Sequence, residues 1–558
     1  MDTLRESSLG DFLRLVSRNQ WLRHPEEKPD FVVPPQYAGQ LPLTTAQTNV
    51  SDDTDAPATT ETTKKGGIPH ATLAANAVIV TWYGDNDPAN PQNWSLPKKL
   101  WVLFVIMFYT FAVYVGSAIF AYAVYDAAEY FDVSVTLATI NVTLFVVGYA
   151  LGPLVLAPLS EVASIGRNPP YIVSLAIFCI LQVPTALSTN FAGLCVLRFL
   201  AGFVGSPPLA TGGASITDIF SPQKAGYGIG IYGIAAGVAP ALAPSISGFA
   251  VIRFGWRWAF WELLIMSGAG LVCLFVGLPE TSADNILYRR AQRLRKLTGN
   301  EFLRSEAELA EAEKSFASVM QEALVRPIVM TLTEPIILAI NLYVGLTYAI
   351  LYSYLESYPV VFAEGYGWNL GLAGLPFLAI TVGGLVSYVV YCLWSYYSWE
   401  PKFVAAKGEL APEAYLPLSL YGAFCYPICL FWFAWTANRT SWVSPTIATG
   451  IFGLADCWSF MPFLNYLAFA YPRYAASALA SNDFVRSLMG AAMPIVSRPL
   501  FHNLGVDWGN SLLAFITILF IPIPFVLVKY GPWLRSRSRM AEKYESDNVP
   551  RKSEGAAV

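Results

Sequence analysis

Among the ionisable residues inside long apolar runs, where an unpaired charge is costly, four stand out: Arg198, Glu356, Asp456 and Asp483. An arginine held in hydrocarbon costs at least about 2.5 kcal/mol, so each such group must face a bundle interior or a watery cavity. The chemistry open to them is proton exchange, in which a carboxylate loads and unloads a proton while a fixed positive charge competes for it. Asp456 has no cation within one helical turn and is the freest candidate; Arg198 and Asp483 complete the proton-coupling set. Two of these positions admit plainer readings. Asp483 lies one turn before Arg486, so the two also read as a structural pair. Arg198 also reads as an arginine held only by backbone carbonyls. Glu356, among Tyr352, Tyr354 and Tyr358, reads as a wetted rim or a cavity wall.

A second group sits where runs end. Glu161, Gly166 and Arg167 occupy the loop after the second run, and Asp218 closes the fourth. Arg198 and Asp218 are twenty residues apart on one helical run, about 30 Å along its axis, so they cannot meet. Asp218 instead reaches the level of Glu161 and Arg167. These three are expected to form an ion-pair latch across that mouth, the alternative being a solvated loop. Aromatic and polar residues of the second half, Tyr348, Tyr352, Glu356, Asp456, Trp458, Phe460 and Asn482, are assigned to a substrate cavity. Flat aromatic walls bury apolar area at roughly 25 cal/mol per Å² and attract cations. For any one of them a lipid-facing place is the plain alternative.

These groups need membrane-spanning helices to hold them. Of 558 residues, 55% are hydrophobic and only 13% charged, and the mean hydropathy is +0.45. A soluble chain carries about 25% charge, so this composition indicates a polytopic membrane protein. Net charge is −4 and the basic residues sit in short clusters between runs, which gives no basis for nucleic-acid binding. All seven cysteines fall in or beside apolar runs and read as small fillers. Cys425 and Cys429 share a helix face without a His or acidic partner, so no metal site is expected.

Twelve runs of spanning length follow Leu100, near 100–124, 136–157, 170–188, 192–216, 226–249, 259–278, 335–362, 371–395, 415–436, 443–468, 475–500 and 510–530. The expected organisation is an extension (1–99), a six-helix bundle (100–278), a charged central loop (279–333), a second six-helix bundle (334–530) and a tail (531–558). Basic residues such as Arg289, Arg290, Arg293, Arg295 and Lys296 gather in loops on one side, which puts both termini in the cytoplasm. In the extension, Leu9, Phe12, Leu13 and Val16 repeat at helical spacing among arginines. They read as a surface helix on an anionic leaflet or as a tail with chance periodicity. Residues 44–72 read as disordered, and the Asp, Asn and Pro residues of 81–99 as turns. The fold class is therefore an all-α membrane protein, twelve transmembrane helices in two pseudo-symmetric six-helix bundles with the site between them. The internal repeat is hard to see in the letters, because the second half lacks a counterpart to the loop at 158–170.

The loop from Gly152 to Arg167 resembles the gating loop of the major facilitator superfamily, and Leu197-Arg198-Phe-Leu-Ala-Gly202 is similar to its proton-linked arginine motif. Gly233, Gly237, Pro240 and Pro244 resemble the antiporter motif of drug:proton antiporters, with Ala239 and Ala243 where glycines usually precede the prolines. The run from Trp82 to Trp94, SPPLATGGASITD (206–218), Trp256-Arg257-Trp258, LPET (278–281), LYRRAQRLRKLTGN (287–300) and ASNDFVRS (480–487) narrow the likeness. Together they resemble fungal twelve-span antiporters of the fluconazole and benomyl resistance type.

The resemblance implies a plasma-membrane exporter, not an enzyme, that exchanges amphipathic xenobiotics such as azoles and benomyl-like compounds for protons, as a monomer and without a cofactor. One proton crossing about 100 mV gains roughly 2.3 kcal/mol. A pH unit adds roughly 1.4, so a gradient of about a few hundredfold needs no ATP. The absence of a Gly-x-x-x-x-Gly-Lys loop agrees. The competing readings are an exporter of a narrow natural substrate, a polyamine or secreted metabolite, and a membrane sensor that does not transport.

Overall fold

The structure, a computed structural model, describes residues 2–38, 77–312, 316–408 and 410–542. The expectation for 44–72 lies outside these. Apart from one two-residue strand pair the described chain is helical. The extension carries α1 (Ser8–Val16), whose first turn is capped by Ser7 Oγ accepting from Gly10 N–H. It also carries β1 (Val78–Ile79). The first bundle follows as α2 (Leu96–Ala118), α3 (Val135–Glu161), α4 (Asn168–Ala186), α5 (Phe191–Gly205), α6 (Pro207–Ile219), α7 (Pro222–Phe254) and α8 (Trp258–Gly277). The run read as a single span over 192–216 is two helices, α5 and α6. They break at Ser206 because Pro207 and Pro208 bring no N–H to continue the ladder and suit a first turn.

A linker with α9 (Ala283–Thr298), β2 (Leu303–Arg304) and α10 (Phe316–Thr333) leads to the second bundle. That bundle comprises α11 (Pro335–Tyr358), α12 (Leu378–Trp394), α13 (Pro417–Thr436), α14 (Val443–Ala470), α15 (Ala475–Phe520) and α16 (Pro522–Arg537). Residues Pro472–Arg537 form one apolar helical stretch of 66 residues, far longer than the roughly 20 needed to cross a bilayer. It breaks at Gly505, where φ is 75° and ψ 164°, so it supplies the eleventh and twelfth crossings without a separate loop. The chain is an all-α polytopic membrane protein with twelve crossings.

Close backbone contact within each bundle is set by glycine. A Cβ on Gly148 of α3 would lie 2.3 Å from Phe199 O, and one on Gly202 of α5 only 2.1 Å from Phe145 O. The second bundle repeats this between α12 and α14, where a Cβ on Gly453 would lie 2.2 Å from Ile380 O and one on Gly383 would strike Gly450 O. The repeat that is faint in the letters is thus present in the packing of crossings two with four and eight with ten.

The bundles meet along two seams. Thr143 of α3 donates to Ala491 O of α15 at 2.8 Å, and Tyr388 of α12 to Tyr227 O of α7 at 2.9 Å. On the face away from the extension, Ser245 donates to Gly374 O (2.7 Å) and Tyr122 to Ala373 O (3.2 Å), closing that end. The face carrying the extension and the linker is the terminus face. There a cavity of about 330 Å³ opens between Thr217, Phe220, Tyr227, Tyr391, Trp399 and Asn465.

The extension is strapped to the linker on this face. β1 pairs in parallel with β2, Glu6 meets Lys98 at 2.6 Å, and Asp11 meets Arg289 at 3.0 Å. The turns expected over 81–99 form around Asp87, whose carboxylate accepts from Tyr83 N–H and Ala89 N–H and holds Arg290 at 2.7 Å. Glu26 completes the cluster with Arg293 at 3.1 Å.

Candidate functional site

At mid-depth the seams bring polar and aromatic side chains of both bundles together. Tyr149 of α3 places its hydroxyl 2.5 Å from that of Tyr348 and 3.2 Å from that of Tyr352, both on α11. Arg486 of α15 donates to Tyr114 of α2 at 3.3 Å and to Asp483 Oδ1 at 3.0 Å, with its plane over Phe460 and Tyr348. Asp456 of α14 faces the other bundle: its Oδ2 lies 3.8 Å from where a Cβ on Gly237 would stand. Around it a pocket of about 30 Å³ is lined by Gly233, Gly237, Ile380, Asp456, Phe460 and Met461. The small residues of α7 therefore leave a notch that admits a carboxylate from across the seam. Pro240 and Pro244 are buried in the same unbroken helix, one and two turns further on.

Several expected placements change. Arg198 is fully buried but has no carboxylate in contact among the described residues. It donates to Asn141 O at 3.2 Å and Gly116 O at 2.8 Å and lies 4.4 Å over the Phe145 ring. The geometry is that of an arginine held by carbonyls and ring faces, joining crossings one, two and four. Asp483 is engaged by Arg486, one turn on, as a buried ion pair. Trp458 is not in the midplane group: its indole donates to Ser387 O of α12, so it packs within its own bundle. Asn482 likewise is buried against Asn341 of α11, at 3.0 Å. Helical spacing on α14 and α15 put these residues near the site but could not give the facing side. Glu356 is buried near the far face, 3.9 Å from Arg498, which also donates to Tyr125 at 3.1 Å.

The loop after α3 is a charged hinge within the first bundle. Arg167 Nε donates to Asp218 Oδ2 at 2.9 Å. Burial disfavours the Arg167 charge, but the adjoining Asp218 carboxylate outweighs this and holds its pKa above the ordinary arginine value. Glu161 is exposed and makes no ion pair among the described residues, so the expected three-residue latch is a pair. Both partners belong to the first bundle, so the latch fixes the ends of α3, α4 and α6 and does not span the mouth. Gly166 has φ 78°, and a Cβ there would lie 2.7 Å from both Glu280 Oε2 and Asn285 Cγ, so only glycine fits.

The residue that organises this hinge escaped the sequence reading. Glu280 accepts from the backbone N–H groups of Arg167, Asn168, Thr281 and Ser282 at 3.0 to 3.1 Å, capping α4 from the end of α8. Its signal was the LPET segment. Glu400 was also missed: it accepts from Gln223, Lys224 and Tyr227 of α7 and is the charged tie between bundles on the terminus face. Tyr114 and Tyr149 were not singled out, and Arg486 was read only as a partner of Asp483, because their joint role arises only when α2, α3 and α15 come together.

Two bundles of six crossings, sealed at one face and closing on a charged aromatic midplane, define a polytopic membrane transporter. The chain belongs to the Major Facilitator Superfamily, whose profile matches residues 106–494. It is 42% identical over 470 residues to Transporter mfs1 of Schizosaccharomyces pombe, covering 83% of this chain and 88% of that protein. It is 40% identical over 472 residues to Multidrug transporter FLR2 of Candida glabrata, covering 84% and 80%. Among solved structures it is similar in fold to the proton:xylose symporter XylE of E. coli, with TM-score 0.56 and 13% identity over 78% of this chain and 96% of that one.

Proposed function

We propose that the protein exports amphipathic drug-like molecules in exchange for protons, as a monomer in the plasma membrane with its terminus face in the cytoplasm. The observation that carries this reading is Asp456, an intramembrane carboxylate set in the glycine notch of α7 on the opposite bundle. A charged carboxylate there needs water or a cation, whereas a protonated one can sit against the apolar notch. Proton load therefore biases how tightly α14 closes on α7, and closing this seam is what changes the face to which the midplane opens. Arg486, beside Asp483 and over the Phe460 ring, places a fixed positive charge in the same midplane group.

The passenger enters through the cavity of about 330 Å³ on the terminus face and meets Tyr149, Tyr348 and Phe460 at mid-depth. The multidrug transporter name borne by FLR2 supports this passenger class. Arg167, Asp218 and Glu280 keep the cytoplasmic ends of the first bundle rigid so that it moves as a body. The test is efflux of a fluorescent amphipathic dye from proteoliposomes with an imposed pH gradient. Gradient-dependent efflux that Asp456→Asn abolishes supports antiport; efflux unchanged when the gradient is dissipated overturns it.

A further inference from the structure

Helix α1 has two unlike sides. Its inner side is fixed to protein: Gly10 and Arg14 are buried, Ser7 pairs with Pro279, and Glu280 N–H donates to Glu6 O at 3.2 Å. The outer side is apolar and uncovered, with Phe12 51%, Leu15 78%, Val16 65% and the following Trp21 64% exposed. Soluble surfaces seldom carry such a cluster on so short a segment. The Phe12 ring lies 6.3 Å from Phe275 in the last turns of α8. Around that point Val272 and Val276 of α8, and Leu100, Trp101 and Phe104 of α2, form the exposed apolar ends of two crossings. Trp101 donates its indole N–H to Gly277 O at 2.9 Å, a placement typical of the membrane boundary. The apolar side of α1 is thus continuous with the lipid-facing belt, and the exposed Arg18 and Arg23 follow it directly.

We propose that α1 is an interfacial helix: Phe12, Leu15, Val16 and Trp21 insert into the lipid leaflet on the terminus face, and Arg18 and Arg23 meet lipid phosphates. A nine-residue helix has little apolar area of its own, but it is already held in place by α8 and α9, so ordering it costs little more. Lipid is the occupant because the patch joins the ends of two crossings and the charges that follow it, Arg18 and Arg23, are basic, while Asp11 beside Phe12 is paired with Arg14 and Arg289. The helix ties the extension, and through Asp11 and Arg289 the linker helix α9, to the bilayer surface beside the first bundle.

The test places a spin label at Leu15→Cys, or at Lys28→Cys as a solvent control, in full-length protein whose seven native cysteines are replaced and which still transports. In lipid nanodiscs the label at 15 is expected to collide with oxygen and be shielded from a water-soluble nickel chelate, at a depth of about 5–10 Å below the headgroup boundary. The label at 28 should show the reverse. Equal nickel accessibility at both sites overturns the proposal. Shielding from both reagents overturns it too, with dipolar broadening indicating a second copy and its absence a covering protein segment. If the cysteine-free chain does not fold, a photo-reactive leucine at 15 in the native background decides: crosslinks to lipid support the inference, and crosslinks to protein alone contradict it.

Discussion

Gly202 and Gly213 differ by eleven positions in the fourth crossing and answer opposite needs. A methyl at Gly202 would press on the backbone carbonyl of Phe145, whereas at Gly213 nothing lies within 4 Å. Gly202→Ala is expected to destabilise the protein by about 1–3 kcal/mol, the usual cost of overpacking. Gly213→Ala should leave stability unchanged or raise it by about 0.5–1 kcal/mol through helix propensity. Thermal unfolding in detergent reads both. Arg198→Ala should also lower the melting temperature, since it empties a site lined by Phe120, Phe145 and Phe260. A merely lipid-facing arginine would show no such loss. At this scale sequence could name Gly202 and Arg198 as buried in the bundle, because small residues and charge in hydrocarbon have few other uses. It could not tell what Arg198 touches, since its acceptors are backbone carbonyls of other helices. Nor could it tell that Trp458 turns inward to Ser387 while Asp456, two residues away, turns to the seam.

The elements around the Arg167–Asp218 pair carry a second set of expectations. Reversing one charge, Arg167→Glu, should impair transport, and adding Asp218→Arg should recover at least about fivefold, the factor that about 1 kcal/mol of coupling represents. No recovery beyond either single variant would mean that the pair is incidental. Glu280→Gln should weaken the same hinge while leaving the Arg167–Asp218 pair in place, so its defect should persist in the double-reversed background. The strap over α9 carries a pH dependence. Burial, then the charges of Arg293, Arg14, Arg5 and Arg289, lower the His24 pKa from 6.5 to about 2. A detached segment takes the proton that the docked one refuses, so docking is strongest above pH ~6.5 and weakens as pH falls below it.

Asp87 works lower on the scale. Burial opposes its charge, but Arg290 and the N–H groups of Tyr83 and Ala89 prevail and depress its pKa, so its contribution is lost only below pH ~4. Hydrogen exchange of residues 8–16 and 77–80 should therefore be faster at pH 5.5 than at 7.5 after correction for intrinsic rate. A flat profile would remove His24 from the account.

The elements also show why the repeat was illegible. The first half ties the start of α4 with Arg167 to Asp218 and the end of α8 with Glu280. The second half ties the segment before α13 with Glu413 to Arg535 at the end of α16 and to Tyr466 of α14. The same corner is held with the charges reversed, and a search for the same letters passes over it. The twelve apolar runs were readable because hydrocarbon thickness imposes their length, and the polar gap between 500 and 510, where the chain breaks at Gly505, marked the eleventh from the twelfth; the break at Ser206 was not readable, because it lies within an apolar run.

For the whole molecule, the proposed antiport mechanism has two rigid bundles moving about the α3–α15 and α7–α12 seams, with the proton on Asp456 setting the preferred position. Ordinary gradients suffice, since about 2.3 kcal/mol per charge per 100 mV exceeds the cost of shifting a balanced two-state equilibrium tenfold. Such coupling requires that the group reach water from each face in turn while the far seam, Ser245 with Gly374 and Tyr122 with Ala373, opens and closes. The most direct measurement is dye efflux from proteoliposomes at fixed dye gradient as the imposed pH difference is varied, for the native protein and for Asp456→Asn. The account predicts efflux that rises with the pH difference in the native protein, and a rate independent of pH difference in the variant, which still folds and binds dye. A variant whose efflux follows the pH difference as the native protein's does would contradict it.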